Sequence, residues 1–208
     1  MAGKSLDLLN IFQAVSGNLV DNQSALNEAD TYNHDHGDHM VEIFKVITQA
    51  MEEKKGADPA DQLEYAGNLL RKKSKSGSAD LYANGLAKAA KQFVGQQVTS
   101  DNAMQLVQTL MGGGQKVQAP PAASGDMLGS LLSGLAGGKQ KSDAGFDASD
   151  LLTAGMAFLQ SKQEGDSNLE ALVDAAVAST QMGASSHRSQ SGKLVANTIL
   201  QMMSGMGS

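Results

Sequence analysis

Apolar residues recur at three- and four-residue intervals along most of this chain, and that spacing determines the fold class it can adopt. The clearest case follows Asp38, where one helical face carries Met40, Ile43, Phe44, Ile47 and Met51. Runs of β-branched residues are absent, and aromatic residues make up only 4% of the chain, so a sheet has little to be built from. The sequence therefore predicts an all-α protein of roughly eight helices, packed as an antiparallel bundle or barrel.

Turn residues predict where these helices begin and end. Gly17 is expected to separate a first helix from a short second one, and a third is expected to start near Asp38 and stop at Gly56. Asp58-Pro59 has the residues of an N-cap and a first helical position. Further helical spacing begins near Leu81, Asp101, Ser149 and Leu169, and a final helix carries Leu194. Residues 112–146 are rich in Gly, Ser and Ala, which predicts a flexible insertion or linker within a single domain of residues 1–208.

Charge and composition exclude several classes of function. The net charge is −6, and the basic residues are scattered apart from Arg71-Lys72-Lys73 and Lys75, so a general nucleic-acid binder is not expected. The chain has no cysteine, which excludes disulfides and thiolate chemistry. It has neither a secretory signal core nor a run near the ~20 apolar residues that span a bilayer. A cytoplasmic protein without a membrane partner is expected.

Residues 27–40, the acid–histidine stretch, concentrate four carboxylates and three of the four histidines. Because the stretch joins two predicted helices, its side chains can converge. Carboxylates at Asp30, Asp35 and Asp38 would suit Mg²⁺ or Ca²⁺, and carboxylates with imidazoles would suit Zn²⁺, Mn²⁺ or Fe²⁺. The spacing matches neither an EF-hand loop nor an HExxH motif. The structural alternative is a solvated loop with Asp38 as a helix N-cap.

Other polar turns are candidates for contact with an anion. The small residues Ser76, Gly77 and Ser78 precede a predicted helix, where backbone N–H groups can cradle phosphate. Gly165-Asp166 begins a similar turn. Arg188 stands at a predicted helix start, where a cation opposes the helix dipole, and this conflict indicates an anionic partner. Ordinary helix caps and a surface arginine are the alternatives.

In the same order, these segments resemble motifs of the nucleotide-binding L domain of dihydroxyacetone kinases, a domain that also occurs in fatty-acid kinases. That family has Leu-Asn-x-Leu-Asp and then Gly-Asp-x-Asp-His-Gly-x-Asn-Met. This chain has Leu26-Asn27-Glu28-Ala29-Asp30 and then Asp35-His36-Gly37-Asp38-His39-Met40.

Three later motifs extend the resemblance over nearly the whole chain. The family's Ser-Gly-Pro-Leu-Tyr compares with Ser78-Ala79-Asp80-Leu81-Tyr82, preceded by Ser76-Gly77. Its Gly-Asp-Lys-Thr-Met-Leu-Asp-x-Leu compares with residues 165–172, and its Gly-Arg-Ala-Ser with His187-Arg188-Ser189. The acid–histidine motif is shorter here, Asp80 replaces the proline, and the family's closing Asp-Pro-Gly-Ala is missing.

The resemblance implies an eight-helix barrel that binds ADP or ATP through Mg²⁺ held by three Asp side chains. Carried over, the metal ligands would be Asp30, Asp35 and Asp38, with His39 meeting phosphate. An alignment backwards from Met40 keeps Asp35 as a ligand, gives the other two places to Asn33 and Glu28, and makes His36 the phosphate contact. The remaining nucleotide contacts would be Ser76, Gly77, Ser78, Gly165, Asp166 and Arg188.

The function this implies is that of a divergent Mg·ADP/ATP-binding domain. It would support phosphoryl transfer to a small hydroxylated acceptor held by a partner subunit, so the chain would be a kinase component needing that partner. A homodimer is the other assembly considered. The alternative from another class is an inactive regulatory or scaffold relative whose Asp/His cluster binds a metal structurally.

Overall fold

The computed structural model describes residues 6–99, 102–112, 173–174, 176–178 and 180–205. Every regular element in these ranges is a helix, so the predicted all-α class is confirmed. The predicted insertion at 112–146 lies outside the described residues except for Gly112, and so do the predicted helix near Ser149 and the start of the one near Leu169. No helix in the described ranges is both long enough and apolar enough to cross a membrane.

The helices are short to medium in length and are joined by brief turns. In chain order they are α1 Leu8–Asp21, α2 Gln23–Ala29, α3 His36–Glu53, α4 Pro59–Lys73, α5 Gly77–Gln92, α6 Ala103–Leu110, a 3-10 helix Gln181–Ala184, and α7 Ser186–Gly205. Residues 173, 174 and 176–178 are also helical.

The core is centred on α3, which packs against α1, α2 and α4. Phe44 of α3 is fully buried and contacts two other aromatic rings. Its ring centroid lies 6.2 Å from that of Phe12 in α1 and 5.0 Å from that of Tyr82 in α5, the latter nearly perpendicular at 79°. Edge-to-face geometry of this kind stabilises aromatic pairs beyond their buried area. One side chain of α3 thus connects the first helix of the chain with the fifth.

The last helix returns to the first part of the chain. α7 packs against α1 and also contacts α2, α3 and α6. Asn18 Nδ2 of α1 donates a 2.8 Å hydrogen bond to Thr198 Oγ1 of α7. This packing places the beginning of α7 beside the turn between α2 and α3.

One predicted helix boundary and one predicted N-cap are wrong. α1 continues through Gly17 to Asp21, because glycine costs a helix only about 1 kcal/mol and fully buried Val15 and Leu19 continue the apolar face on either side. α3 begins at His36 with Asp35 as its N-cap residue, so Asp38 lies in the first turn and is not the N-cap. The predicted starts near Asp38, at Asp58-Pro59 and near Asp101 are confirmed to within two residues.

Close approach of α5 to α6 at Gly85 generates a stability prediction. A Cβ at this position would overlap the carbonyl oxygen of Leu110 and lie 2.8 Å from its Cα. We expect Gly85→Ala to lower the free energy of unfolding by about 2 kcal/mol, because backbone atoms must move to accept the methyl group. Urea denaturation followed by far-UV circular dichroism measures the change.

Gly17→Ala is the matched control, because a Cβ there has no atom within 4 Å. It is expected to raise the free energy of unfolding by about 0.5 to 1 kcal/mol through helix propensity alone. Equal effects of the two substitutions would contradict the close packing of α5 on α6.

Candidate functional site

Side chains from the turn between α2 and α3 meet the first turns of α7 in a largely buried cluster. We call Asp30, His36, Ser185, His187 and Ser191 the Asp30–His187 cluster. Asp30 and His36 are each 4% exposed, and Ser191 is fully buried. The imidazole centroids of His36 and His187 lie 4.7 Å apart with the rings inclined at 62°. Polar groups this buried require partners, which here are other residues of the cluster and backbone groups of Tyr32 and Arg188.

A buried hydrogen bond joins His36 to Ser191. His36 Nε2 lies 2.9 Å from Ser191 Oγ, and this hydroxyl in turn donates to the backbone oxygen of Arg188 at 3.0 Å. Because the hydroxyl proton is used for Arg188, Ser191 accepts from His36, and the neutral imidazole carries its proton on Nε2. The orientation of His36 is thereby coupled to the backbone of α7.

His187 lies between a carboxylate and a hydroxyl. Its Nδ1 is 3.8 Å from Asp30 Oδ1, and its Nε2 is 3.2 Å from Ser185 Oγ. Burial raises the pKa of Asp30, but the hydrogen bond from the Tyr32 N–H and the charges of His187 and His36 outweigh it and hold this pKa below its ordinary value of 3.8. Asp30 is therefore an anion at neutral pH.

The surroundings of His36 disfavour its charged form. Burial, followed by repulsion from His187, lowers the pKa of His36 from 6.5 to about 4, even though Asp30 acts to raise it. The Arg188 guanidinium also lowers this pKa. His36 is therefore neutral at pH 7 and serves as a hydrogen-bond donor rather than as a charge.

The start of α3 is held by amide side chains from α2. Asn27 Oδ1 accepts the N–H groups of Gly37 at 2.7 Å and Asp38 at 3.2 Å, while Asn27 Nδ2 and Gln23 Nε2 donate to Asp38 Oδ1 at 2.9 and 2.6 Å. These side-chain hydrogen bonds lower the pKa of Asp38. A Cβ on Gly37 would overlap the Gln23 carbonyl oxygen, so α2 and α3 meet here at a distance that only glycine allows.

The three carboxylates proposed as metal ligands face different partners. Asp30 lies by His187, and Asp38 accepts from Asn27 and Gln23. Asp35 Oδ1 lies 3.4 Å from His39 Nδ1, with both side chains 39% exposed. Within the described ranges no three His, Asp or Glu side chains form a group that could hold a metal ion. The carboxylates do not fit a shared Mg²⁺ in this arrangement, and the magnesium site stays a prediction.

A second group of predicted residues does come together, at the start of α5. Ser76 is the N-cap, and its Oγ accepts the Ala79 N–H at 3.1 Å. A Cβ at Gly77 would lie 3.1 Å from Nη2 of Arg188, so the guanidinium lies beside the first residue of α5. Nε of Arg188 is buried and has no hydrogen-bond partner among the described residues. We call Ser76, Gly77, Ser78 and Arg188 the Arg188 site.

The cluster contains residues that were not predicted as site residues: Ser185 and Ser191, and also His187, which was quoted only as part of a motif. His187 and Ser191 are four residues apart on α7, a spacing that puts both on one helical face. The four-residue spacing was visible in the sequence, but the turn between α2 and α3 that this helical face contacts was not. Asn27, quoted only as part of a motif, caps α3. Gly165 and Asp166 lie outside the described residues.

Comparisons with models of protein families, with curated proteins and with solved structures found no match to this chain. The resemblance to the dihydroxyacetone kinase L domain therefore rests on the quoted motifs, and function is argued below from the geometry of the site.

Burial of neutral His36 generates a pH prediction. The unfolded chain takes up a proton on His36 near pH 6.5, whereas the folded protein does so near pH 4. Stability contributed by neutral His36 is therefore complete above pH 6.5 and is lost as the pH falls towards 4. We expect His36→Gln, whose amide can still donate to Ser191, to reduce the loss of unfolding free energy between pH 7 and pH 5 by about 1 to 2 kcal/mol.

Chemical denaturation at the two pH values gives this difference. His34→Asn is the control, because His34 is exposed and its positive φ of 57° is one that asparagine adopts readily. The control should keep the wild-type pH dependence. A His36→Gln protein with that same pH dependence would show that His36 is not the group responsible.

Proposed function

We propose that the protein binds the phosphate groups of ADP or ATP at the Arg188 site. One observation carries this proposal: Arg188, in the first turn of α7, places its guanidinium beside the first residue of α5, and its buried Nε has no hydrogen-bond partner among the described residues. An arrangement of this kind concentrates positive charge and hydrogen-bond donors that an anion would satisfy.

The electrostatics favour an anion between these helices. The N-terminus of a helix carries about half a positive charge, and a cation placed there is repelled. Arg188 is the third residue of α7 and also lies beside Gly77, the first residue of α5. Asp80 in the first turn of α5 offsets part of this charge but forms no ion pair with Arg188 in the described ranges. A phosphate group would neutralise all three positive contributions together.

Backbone donors at the start of α5 support the same ligand. The first N–H groups of a helix have no partner within it. Here the Ala79 N–H bonds to Ser76 Oγ and the Asp80 N–H to Ser76 O, which leaves the N–H groups of Gly77 and Ser78. Gly77 has no side chain and is exposed, so a phosphate oxygen can approach its N–H from the side on which Arg188 lies.

The role we propose is positioning and charge neutralisation during phosphoryl transfer. Mg²⁺ and a partner subunit that holds a small hydroxylated acceptor enter this proposal through the family resemblance alone. We assign recognition of phosphate to Arg188 and the first turn of α5. The described carboxylates could contact phosphate only through a bound Mg²⁺, and they already face other groups.

Calorimetric titration of ADP tests the Arg188 site. We expect Arg188→Gln to weaken ADP binding at least about tenfold, since charge-assisted hydrogen bonds contribute about 1.5 to 3 kcal/mol. Lys193→Gln removes the same charge from the same helix, where Lys193 Nζ pairs with Asp174 at 2.9 Å, and is the control. Equal ADP affinity of the wild type and Arg188→Gln would contradict the proposal that Arg188 binds the phosphate groups.

The same titration in Mg²⁺ and in EDTA tests the metal separately. The resemblance predicts that Asp35→Ala abolishes metal-dependent ADP binding while helix content is unchanged. An unchanged affinity in Asp35→Ala would remove Mg²⁺ from the proposal but leave phosphate recognition by Arg188 intact. Binding of Zn²⁺ that is independent of nucleotide would instead favour a regulatory or scaffold relative with a structural metal.

A further inference from the structure

A cleft of about 320 Å³ lies along α4 and α5, on residues that the Arg188 site does not use. Its lining includes Arg71 of α4, Leu81, Asn84, Lys88 and Lys91 of α5, and Gln181 of the 3-10 helix. The volume falls at the lower end of the range of about 300 to 1,000 Å³ found for small-molecule sites. We call it the α4–α5 cleft.

The charge of this cleft is opposite to that of the chain as a whole. The protein carries 22 acidic and 16 basic residues, yet three basic residues and no acidic one line the cleft. Arg71, Lys88 and Lys91 form no ion pair with a carboxylate in the described part of the chain. Among the described residues, no carboxylate pairs with the positive charges of the cleft.

Helical spacing aligns the α5 side of the cleft. Leu81, Asn84, Lys88 and Lys91 follow one another at intervals of three, four and three residues, which places them along one face of α5. The two ammonium groups thus extend from neighbouring turns of the same face. A ligand with two separated negative charges can contact both.

Arg71 is held in place on the α4 side. Its Nη2 donates to Asn84 Oδ1 at 2.9 Å and to the Ala83 oxygen at 3.3 Å. Neither Nη1 nor Nε has a hydrogen bond to any residue of the described ranges. The planar fork is therefore oriented by α5 while donors suited to phosphate oxygens remain available.

We propose that the α4–α5 cleft binds a small organic bisphosphate. Single ion pairs to exposed lysines are weak in water, so the ligand needs at least two charges to engage Lys88, Lys91 and Arg71 together. Leu81 and Ala87, both half-buried in the lining, would cover the carbon skeleton between the phosphates. The chain has only two arginines, Arg71 and Arg188, and each would then serve a different anion site.

The test uses fructose 1,6-bisphosphate as the probe in the full chain carrying Arg188→Gln, which separates the cleft from the Arg188 site. Amide resonances are followed by NMR during the titration. Saturable shifts are expected at Asn84 and Lys88, with affinity falling as salt is added. Lys88→Gln/Lys91→Gln in the same background should weaken binding about tenfold.

Lys45→Gln/Lys55→Gln is the matched control, because both lysines are exposed, lie outside the cleft and remove the same charge. It should leave the affinity within about twofold. Equal weakening by the two double variants would show a response to net charge alone and would overturn the proposal. So would an absence of shifts at Asn84 and Lys88. Because Arg188 is already replaced, neither result bears on ADP binding at the Arg188 site.

Discussion

The hydrogen bond between His36 Nε2 and Ser191 Oγ joins parts of the chain that are 155 residues apart, and the geometry of the candidate site depends on it. Both groups are buried, so neither can exchange this partner for water at low cost. The bond fixes the first turns of α7 against the turn between α2 and α3. His187 and Arg188 extend from those turns, one towards Asp30 and the other towards α5.

Charge is distributed around this bond in a definite order. Asp30 is an anion, His36 is kept neutral, and Arg188 is a permanent cation at the start of two helices. On the other side of the cluster, the buried carboxylate of Asp30 lies 3.8 Å from His187 Nδ1. On the Arg188 side, Asp80 in the first turn of α5 offsets part of the charge, but no described carboxylate forms an ion pair with Arg188. This excess of positive charge at the Arg188 site, more than any single residue, indicates an anionic ligand at that site.

Much of the fold could be predicted from the sequence, because helix spacing is a local property. The stripe from Met40 to Met51 and the Asp58-Pro59 start each depend on residues within a few turns. Gly17 misled the prediction because buried neighbours outweigh its weak helix propensity. Asp38 misled it because Asn27, in the preceding helix, caps α3 through its side chain.

The candidate site was predictable only in part. Gly77 and Arg188 were each identified from local chemistry, and the structure brings them together. The contact of His36 with His187 and Ser191 requires knowledge of which helix faces pack, and nothing in one sequence without its fold supplies that. The same limit applies to the carboxylates: their spacing permits convergence, but amide partners from α2 and a histidine one turn away engage two of them.

The position of Arg188 next to His36 has a thermodynamic consequence. The guanidinium is one of the charges that lower the pKa of His36. An anion that neutralised this guanidinium would let the pKa of His36 rise, so that binding near pH 4, where His36 titrates, would be accompanied by proton uptake. The heat of binding would then depend on the ionisation enthalpy of the buffer, and the imidazole would act as an internal reporter of occupancy at a site it does not touch.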